Sequence, residues 1–225
     1  MLAKAEERGK VEYHVLNLFK FLDNENDRID DYPFGGGNGM IIKPGPVFNA
    51  YESINDVSRV IFPTPDGELL NHKLAKNLSK EKSLVFICGH YKGIDQRIRD
   101  AIVTDEVSIG DFVLSGGEIP VLAVIDAVAR LIPGVLGDES SAKHDSFMGG
   151  IFDTPHYTRP KEIDGQSVPE VLLSGDHERI IKWRAEQAIG RTYLRRPDLI
   201  KKLNLNEEQK TMIEEYLKNH LLYDQ

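Results

Sequence analysis

Two glycine-rich stretches could present main-chain groups to a ligand. One is Cys88-Gly89-His90-Tyr91-Lys92-Gly93-Ile94-Asp95; the other is Ser108-Ile109-Gly110-Asp111-Phe112-Val113-Leu114-Ser115-Gly116-Gly117-Glu118. Glycine lacks a Cβ, so the chain there can approach a ligand closely and expose N–H and C=O groups to it. One such stretch is ordinarily a tight turn, whereas two at neighbouring strand ends point to a shared pocket. Asp126 and Arg130 stand four residues apart on one face of an apolar helix. Such a pair is usually structural, but a buried Arg beside a glycine-rich region is a candidate for stabilising developing negative charge. Asp145 by itself reads as a helix N-cap or a solvated loop acid. Between 179 and 202, eight basic residues (Arg179, Lys182, Arg184, Arg191, Arg195, Arg196, Lys201, Lys202) stand against two acids, Glu186 and Asp198. Such a run can contact phosphates, although charge alone reads more plainly as a solvated helix face.

Several other chemistries are excluded by context. The run Gly35-Gly36-Gly37-Asn38-Gly39 follows Asp-Asp-Tyr-Pro rather than an apolar strand, so it is no dinucleotide fingerprint. There is no Gly-Lys-Ser/Thr phosphate loop and no serine-hydrolase elbow, and the seven His residues lack zinc-type spacing. The single cysteine, Cys88, excludes an internal disulfide and a thiolate metal cage. The net charge of −8 weighs mildly against nucleic-acid binding, but the basic run matters more than the sum. The longest apolar run, near 119–132, is too short and too polar for a membrane span. With no leader pattern at the N-terminus, the chain is expected to be soluble and cytoplasmic, with no membrane partner.

The elements that would position these residues follow from periodicity. Residues 11–18 alternate as a strand should, and 22–40 is polar. Residues 58–62 form a short buried strand, expected to stop at Pro63-Thr64-Pro65-Asp66-Gly67; a helix covers 69–78. The unbroken apolar run 83–88 predicts a central strand covered on both faces. Pro120 suits the first residue of a helix, which is apolar on nearly every side from 121 to 132 and therefore expected to be buried, ending at Pro133-Gly134. Residues 134–170 read as a linker or long functional loop. Beyond 174 the pattern is helical. Ser174 or Asp176 caps one helix, on which Trp183 reads as core. Asn206 and Gln209 form a capping box for the last helix, whose stripe is Met212, Ile213, Tyr216, Leu217 and Leu221. Strands alternating with helices give an α/β class, with ligands beyond the carboxyl ends of the strands.

Read in order, Asp31-Tyr32-Pro33-Phe34-Gly35-Gly36-Gly37-Asn38-Gly39-Met40, the two stretches above, residues 125–137, Asp145-Ser146-Phe147, Pro155-His156-Tyr157-Thr158-Arg159-Pro160 and Leu173-Ser174-Gly175-Asp176-His177 resemble the bacterial tRNA (guanine-37, N1)-methyltransferases. The resemblance runs from residue 1 to about 200. It implies a SPOUT-type, trefoil-knotted parallel-sheet domain followed by a small α-helical C-terminal domain. The implied organisation is a catalytic domain over 1–136, an interdomain loop carrying the catalytic Asp over 137–147, and a tRNA-binding domain over 148–225. It further implies a homodimer with the active site between subunits. S-adenosylmethionine would be the methyl donor, held by Thr64, Pro65, Gly89, Ile109, Gly110, Asp111, Phe112, Val113, Leu114, Gly116, Gly117 and Pro120.

The implied activity is methylation of guanine N1 at tRNA position 37, beside the anticodon, which supports reading-frame maintenance. That nitrogen carries a proton at neutral pH, so a carboxylate must remove it, and Asp145 is the family's base. Charge then builds on O6, where the Arg130 cation suits. The base must leave its stack to react. Arg159, Ser174, His177, Lys182 and Arg191 are the candidate tRNA contacts, His177 reading equally as a first-turn helix residue, and Asp153 is expected to serve the interdomain loop. Two departures from the family pattern stand out. Lys92 occupies a place where many relatives carry an acid, which leaves any Mg²⁺ site unassigned. The sequence also opens inside what is normally the first helix, at Met1-Leu2-Ala3-Lys4-Ala5, so the first strand is expected to be missing. The Asp145 loop and residues 155–160 disfavour a knotted enzyme for another RNA position. Intact Asp145, Arg130 and donor loops disfavour a catalytically impaired RNA-binding relative.

Overall fold

A single 11-residue strand organises the first part of the chain. The structure, a computed structural model, describes residues 1–24, 26–136 and 145–221, apart from the side chains of 220 and 221. Strand β3 (Arg59–Leu69) lies between β4 (Leu84–Phe86) and β5 (Asp105–Ser108), parallel to both. Its apolar residues alternate across the sheet, as the two-residue repeat requires. Val60 and Phe62 pack on one face with Ile42, Val47, Ile94 and Ile98, from the region of α2 (Pro44–Glu52) and α4 (Gln96–Ile102). Ile61 packs on the other with Leu74, Leu78, Val124 and Val128, from α3 (His72–Leu78) and α5 (Glu118–Ala129). Helices on both faces of a parallel sheet make this a mixed α/β fold. A two-residue antiparallel ladder, β1 (Asp30–Asp31) with β2 (Ile41–Ile42), and helix α1 (Leu2–Glu7) complete this part.

Four expectations need correction. The alternating residues 11–18 form no strand; a 3₁₀ turn (Leu18–Phe21) follows them, capped by the Asn17 side chain. Val15 is 94% exposed, so among the described residues this alternation has no sheet face to lie on. Second, β3 does not stop at Pro63. Pro63 and Glu68 both stand opposite Val107, so the chain leaves the ladder where proline has no N–H to give, loops out over 64–67 and rejoins. Consequently the next helix begins at His72, not at residue 69. Third, the run 83–88 yields β4 at the edge of the three described strands, half-buried rather than central. Fourth, α5 is not buried all round. Pro120 is its third residue, the helix ends at Ala129, and Ile119 and Leu122 are 60% and 56% exposed.

Residues 1–139 and 140–225 form two compact units. Most of the expected loop 137–147 lies outside the described residues. The second unit contains a small hairpin, β6 (Glu162–Ile163) with β7 (Gln166–Ser167), and helices α6 (Glu170–Leu173), α7 (His177–Arg195), α8 (Pro197–Ile200) and α9 (Glu207–Leu221). Asp176 caps α7 by accepting the Arg179 N–H at 3.1 Å. Asn206 and Gln209 cap α9 reciprocally, at 3.0 and 2.8 Å, as the capping box requires. Four residues of the expected stripe are core: Met212, Ile213 and Tyr216 are buried, and Leu217 packs beside them on Ile189 and Ile200, while the Leu221 side chain lies outside those described. Helices α7 and α9 meet at Gly190, where a Cβ would lie 2.0 Å from Tyr216 Cγ. Among the described residues, no helix is long and apolar enough to cross a membrane.

Candidate functional site: a cleft where two glycine-rich loops cross

The parallel order β4-β3-β5 brings the ends of all three strands together, so the loops that follow them converge. They line one cleft of about 240 Å³. Thr64 and Pro65 come from the loop in β3, Gly89 to Ile94 from the loop after β4, and most of 107–117 from β5 onward; Pro120 closes the floor. Of the twelve residues expected to hold the donor, eleven line this cleft. Asp111 does not; it is exposed beside it.

The two glycine-rich loops are fastened across one another. Gly117 donates its N–H to the Gly89 carbonyl at 2.8 Å, and Gly116 bridges His90 antiparallel. The crossing needs glycine, because a Cβ on Gly117 would lie 2.8 Å from both Cys88 Cα and Gly89 N. Those are backbone atoms and cannot swing aside. Gly117→Ala is therefore expected to prise the loops apart, weakening ligand binding in the cleft at least about tenfold and costing roughly 2 kcal/mol of stability. Titration calorimetry and thermal melting would check this; unchanged affinity would mean the crossing is not needed for binding.

Charged side chains brace the same loops. His90 Nε2 lies 2.5 Å from Glu118 Oε1, joining the β4 loop to the first turn of α5. That contact holds the Glu118 carboxyl below the usual carboxylate range. Burial, and the Glu118 charge after it, push the Cys88 thiol up, away from thiolate character. Arg99 makes a two-pronged bond to Glu106 at 2.7 Å, another to Asp66 at 2.8 Å, and lies 5.6 Å from the Phe62 ring centre. Its guanidinium is held charged by Glu106 first and Asp66 second. Asp66 is pulled down by its Thr64 and Arg99 hydrogen bonds, so this ion group pins the 64–67 loop. His90, Tyr91 and Ser115 line the cleft as members of the two glycine-rich stretches, whereas Arg99 lines it without having been singled out from sequence. Arg99 carries no spacing signal, since its partners lie 33 and 7 residues away.

The remaining candidates lie in both units. Arg130 is the C-cap of α5 and is exposed, not buried; its N–H bonds the Asp126 carbonyl at 3.3 Å. Asp126 is exposed too, because both stand on the side of α5 away from the sheet. Asp145 is half-buried at the start of the described second unit. It opens a tight turn in which its carbonyl accepts from Met148 N–H at 3.2 Å and Phe147 N–H donates to Ile151 O at 2.7 Å. Ser146 Oγ accepts from Asp153 N–H at 3.0 Å, and the Asp153 carboxylate contacts His156 at 2.8 Å. Phe152 N–H bonds Thr192 Oγ1 on α7 at 2.8 Å, and that hydroxyl donates to Ala188 O. Arg159, Ser174, His177 and Lys182 are exposed and Arg191 is half-buried. Ser174 ends α6, bonding Val171 O, and His177 is the first residue of α7. Trp183 is half-buried rather than core, 6.4 Å from the Tyr157 ring. Among the described residues, no group of three His, Cys, Asp or Glu is placed to hold a metal ion.

Proteins similar to this chain in sequence are named as methyltransferases. The profile of the family described as tRNA (Guanine-1)-methyltransferase TrmD matches residues 1–202. The chain is 49% identical over 223 residues to the tRNA (guanine-N(1)-)-methyltransferase of Anoxybacillus flavithermus, spanning 97% of this chain and 91% of the relative. It is 50% identical over 222 residues to the Bacillus subtilis protein of the same name, with the same coverage. With the Dictyoglomus turgidum protein of that name it shares 48% over 219 residues, 97% of this chain and 89% of the relative.

Proposed function

The chain belongs to the tRNA (Guanine-1)-methyltransferase TrmD family, and from that membership we propose that it methylates N1 of guanine 37 in tRNA with S-adenosylmethionine. The observation that carries the reading is the single cleft built from the 64–65, 89–94 and 107–117 segments, within a chain matched by the family profile over residues 1–202.

The cleft's residues fit such a donor. Pro63, Ile109, Leu114 and Pro120 supply apolar walls, while the crossed glycine loops offer main-chain donors and acceptors to a purine edge. When bound, S-adenosylmethionine supplies a methyl group activated by its sulfonium. Asp145 takes the N1 proton, and the freed nitrogen lone pair becomes the nucleophile. Arg130 offers a cation to the charge left on O6. The second unit, with its basic α7, grips the tRNA through Arg159, Ser174, His177, Lys182 and Arg191. The proposed division is a knotted catalytic domain over 1–136, a linking loop over 137–147 and the tRNA-binding domain over 148–225. The back-crossing of 116–117 over 89–90 supports the knot.

The working form is a homodimer, with each site shared between subunits. The exposed Ile119 and Leu122 on α5, next to Pro120 of the cleft, support this, because apolar side chains of that size gain from being covered. Sedimentation should give twice the chain mass. No residue is assigned to Mg²⁺; its role is read by running the reaction with the ion and with EDTA. The proposed compartment is the cytoplasm, where the tRNA is.

Labelled S-adenosylmethionine and two tRNA transcripts, with guanine or adenine at position 37, test the reading directly. Transfer to the guanine transcript alone is expected. Equal labelling of both would overturn the target, and absence of transfer to either would overturn the activity.

A further inference from the structure

We propose that Lys92 selects the methyl donor by pairing with its α-carboxylate, so that the cleft recognises the amino-acid end through a side-chain cation. The inference rests on the donor assignment above. The cleft is lined by three basic residues, His90, Lys92 and Arg99, and by no Asp or Glu. Two of them are already engaged. Arg99 gives its donors to Glu106 and Asp66, and His90 faces Glu118. Lys92 alone of the three has no carboxylate partner among the described residues, so it is the lining cation left to meet an anionic ligand group.

Its stem is also seated against the 39–42 segment. Lys92 N–H donates to Met40 O at 3.0 Å, and Ile42 N–H donates to Gly93 O at 3.1 Å, so the Lys92 backbone is stitched to the 40–42 segment. The aliphatic stem runs through the space a side chain at 39 would take. A Cβ on Gly39 would lie 2.7 Å from Lys92 Cγ, and Gly39 has φ +97°, which a larger residue resists. The glycine run 35–39, which no cofactor motif explained, thus ends in a groove for this lysine. An ammonium held on a braced loop meets a carboxylate as a charge-assisted hydrogen bond, stronger than a neutral one.

Ligands with and without the carboxylate separate the possibilities. Calorimetry on the full-length protein would compare S-adenosylmethionine and S-adenosylhomocysteine, which carry the carboxylate, with 5′-methylthioadenosine, which does not. Lys92→Met is expected to weaken the first two about tenfold and to leave the third within about twofold. Lys92→Arg, which keeps the charge, is expected to restore most of the loss. Equal weakening of all three ligands, or of none, overturns the proposal while leaving the donor site in place. So does a loss confined to tRNA affinity, which would make Lys92 a phosphate contact. Should the unaltered protein bind none of the three, the donor assignment itself falls and this inference falls with it.

Discussion

Asp145→Asn is expected to lower kcat by about three orders of magnitude while leaving S-adenosylmethionine affinity and melting temperature unchanged. An amide cannot take the N1 proton, yet it has nearly the carboxylate's size and can still accept hydrogen bonds. The surrounding turn is fastened by other groups, namely the Met148 and Phe147 N–H bonds and the Ser146 hydroxyl on Asp153 N–H. Loss of rate would therefore report chemistry rather than a collapsed loop. Retained turnover would remove Asp145 from the mechanism.

The second large effect is one of packing. Gly190→Ala is expected to destabilise the helical unit by about 3 kcal/mol or more, lowering its melting temperature by over about 10 °C. Helix propensity pulls the other way, since Ala favours a helix interior by about 1 kcal/mol over Gly. The clash outweighs it: the added carbon would sit 2.0–2.5 Å from Cγ, Cδ1 and Cδ2 of Tyr216. These atoms lie at the root of a ring that is only 4% exposed, so it cannot turn away and α9 must shift. The sign of the change is the test, because a stabilised variant would mean the helices pack apart. In a double-mutant cycle, Gly190→Ala should cost much less once Tyr216 is Ala.

Local patterns in the sequence carried over well, and long-range ones poorly. Asn206, Gln209 and the Met212–Tyr216 stripe are spaced within one helix, so caps and buried face could be read from neighbours. Glycine-rich stretches likewise disclosed the two loops of the cleft, because unusual backbone needs unusual residues. Pairing partners were hidden. Pro63 looks like a stop, but whether a strand resumes depends on Val107 accepting both Pro63 and Glu68 opposite it. Residues 11–18 alternate correctly, yet alternation cannot say whether a sheet is there to receive them. The apolar α5 read as buried because its composition says nothing of which side meets the sheet. Within the cleft, the crossing at Gly117, the Glu118–His90 contact and the Arg99 ion group join residues from different elements, and no spacing rule connects them. Family motifs identified the chemistry that geometry of single residues could not.

The Phe152–Thr192 bond has a mechanical meaning. The turn that opens at Asp145 is tied through Ser146, Asp153 and Phe152 to α7 of the second unit. The proposed base therefore belongs to the same compact unit as the proposed tRNA-gripping helix, while the cleft for the methyl donor belongs to the first unit. Grip and proton removal are then two ends of one lever. Damage to the α7 surface would then be felt as slower turnover as well as looser tRNA.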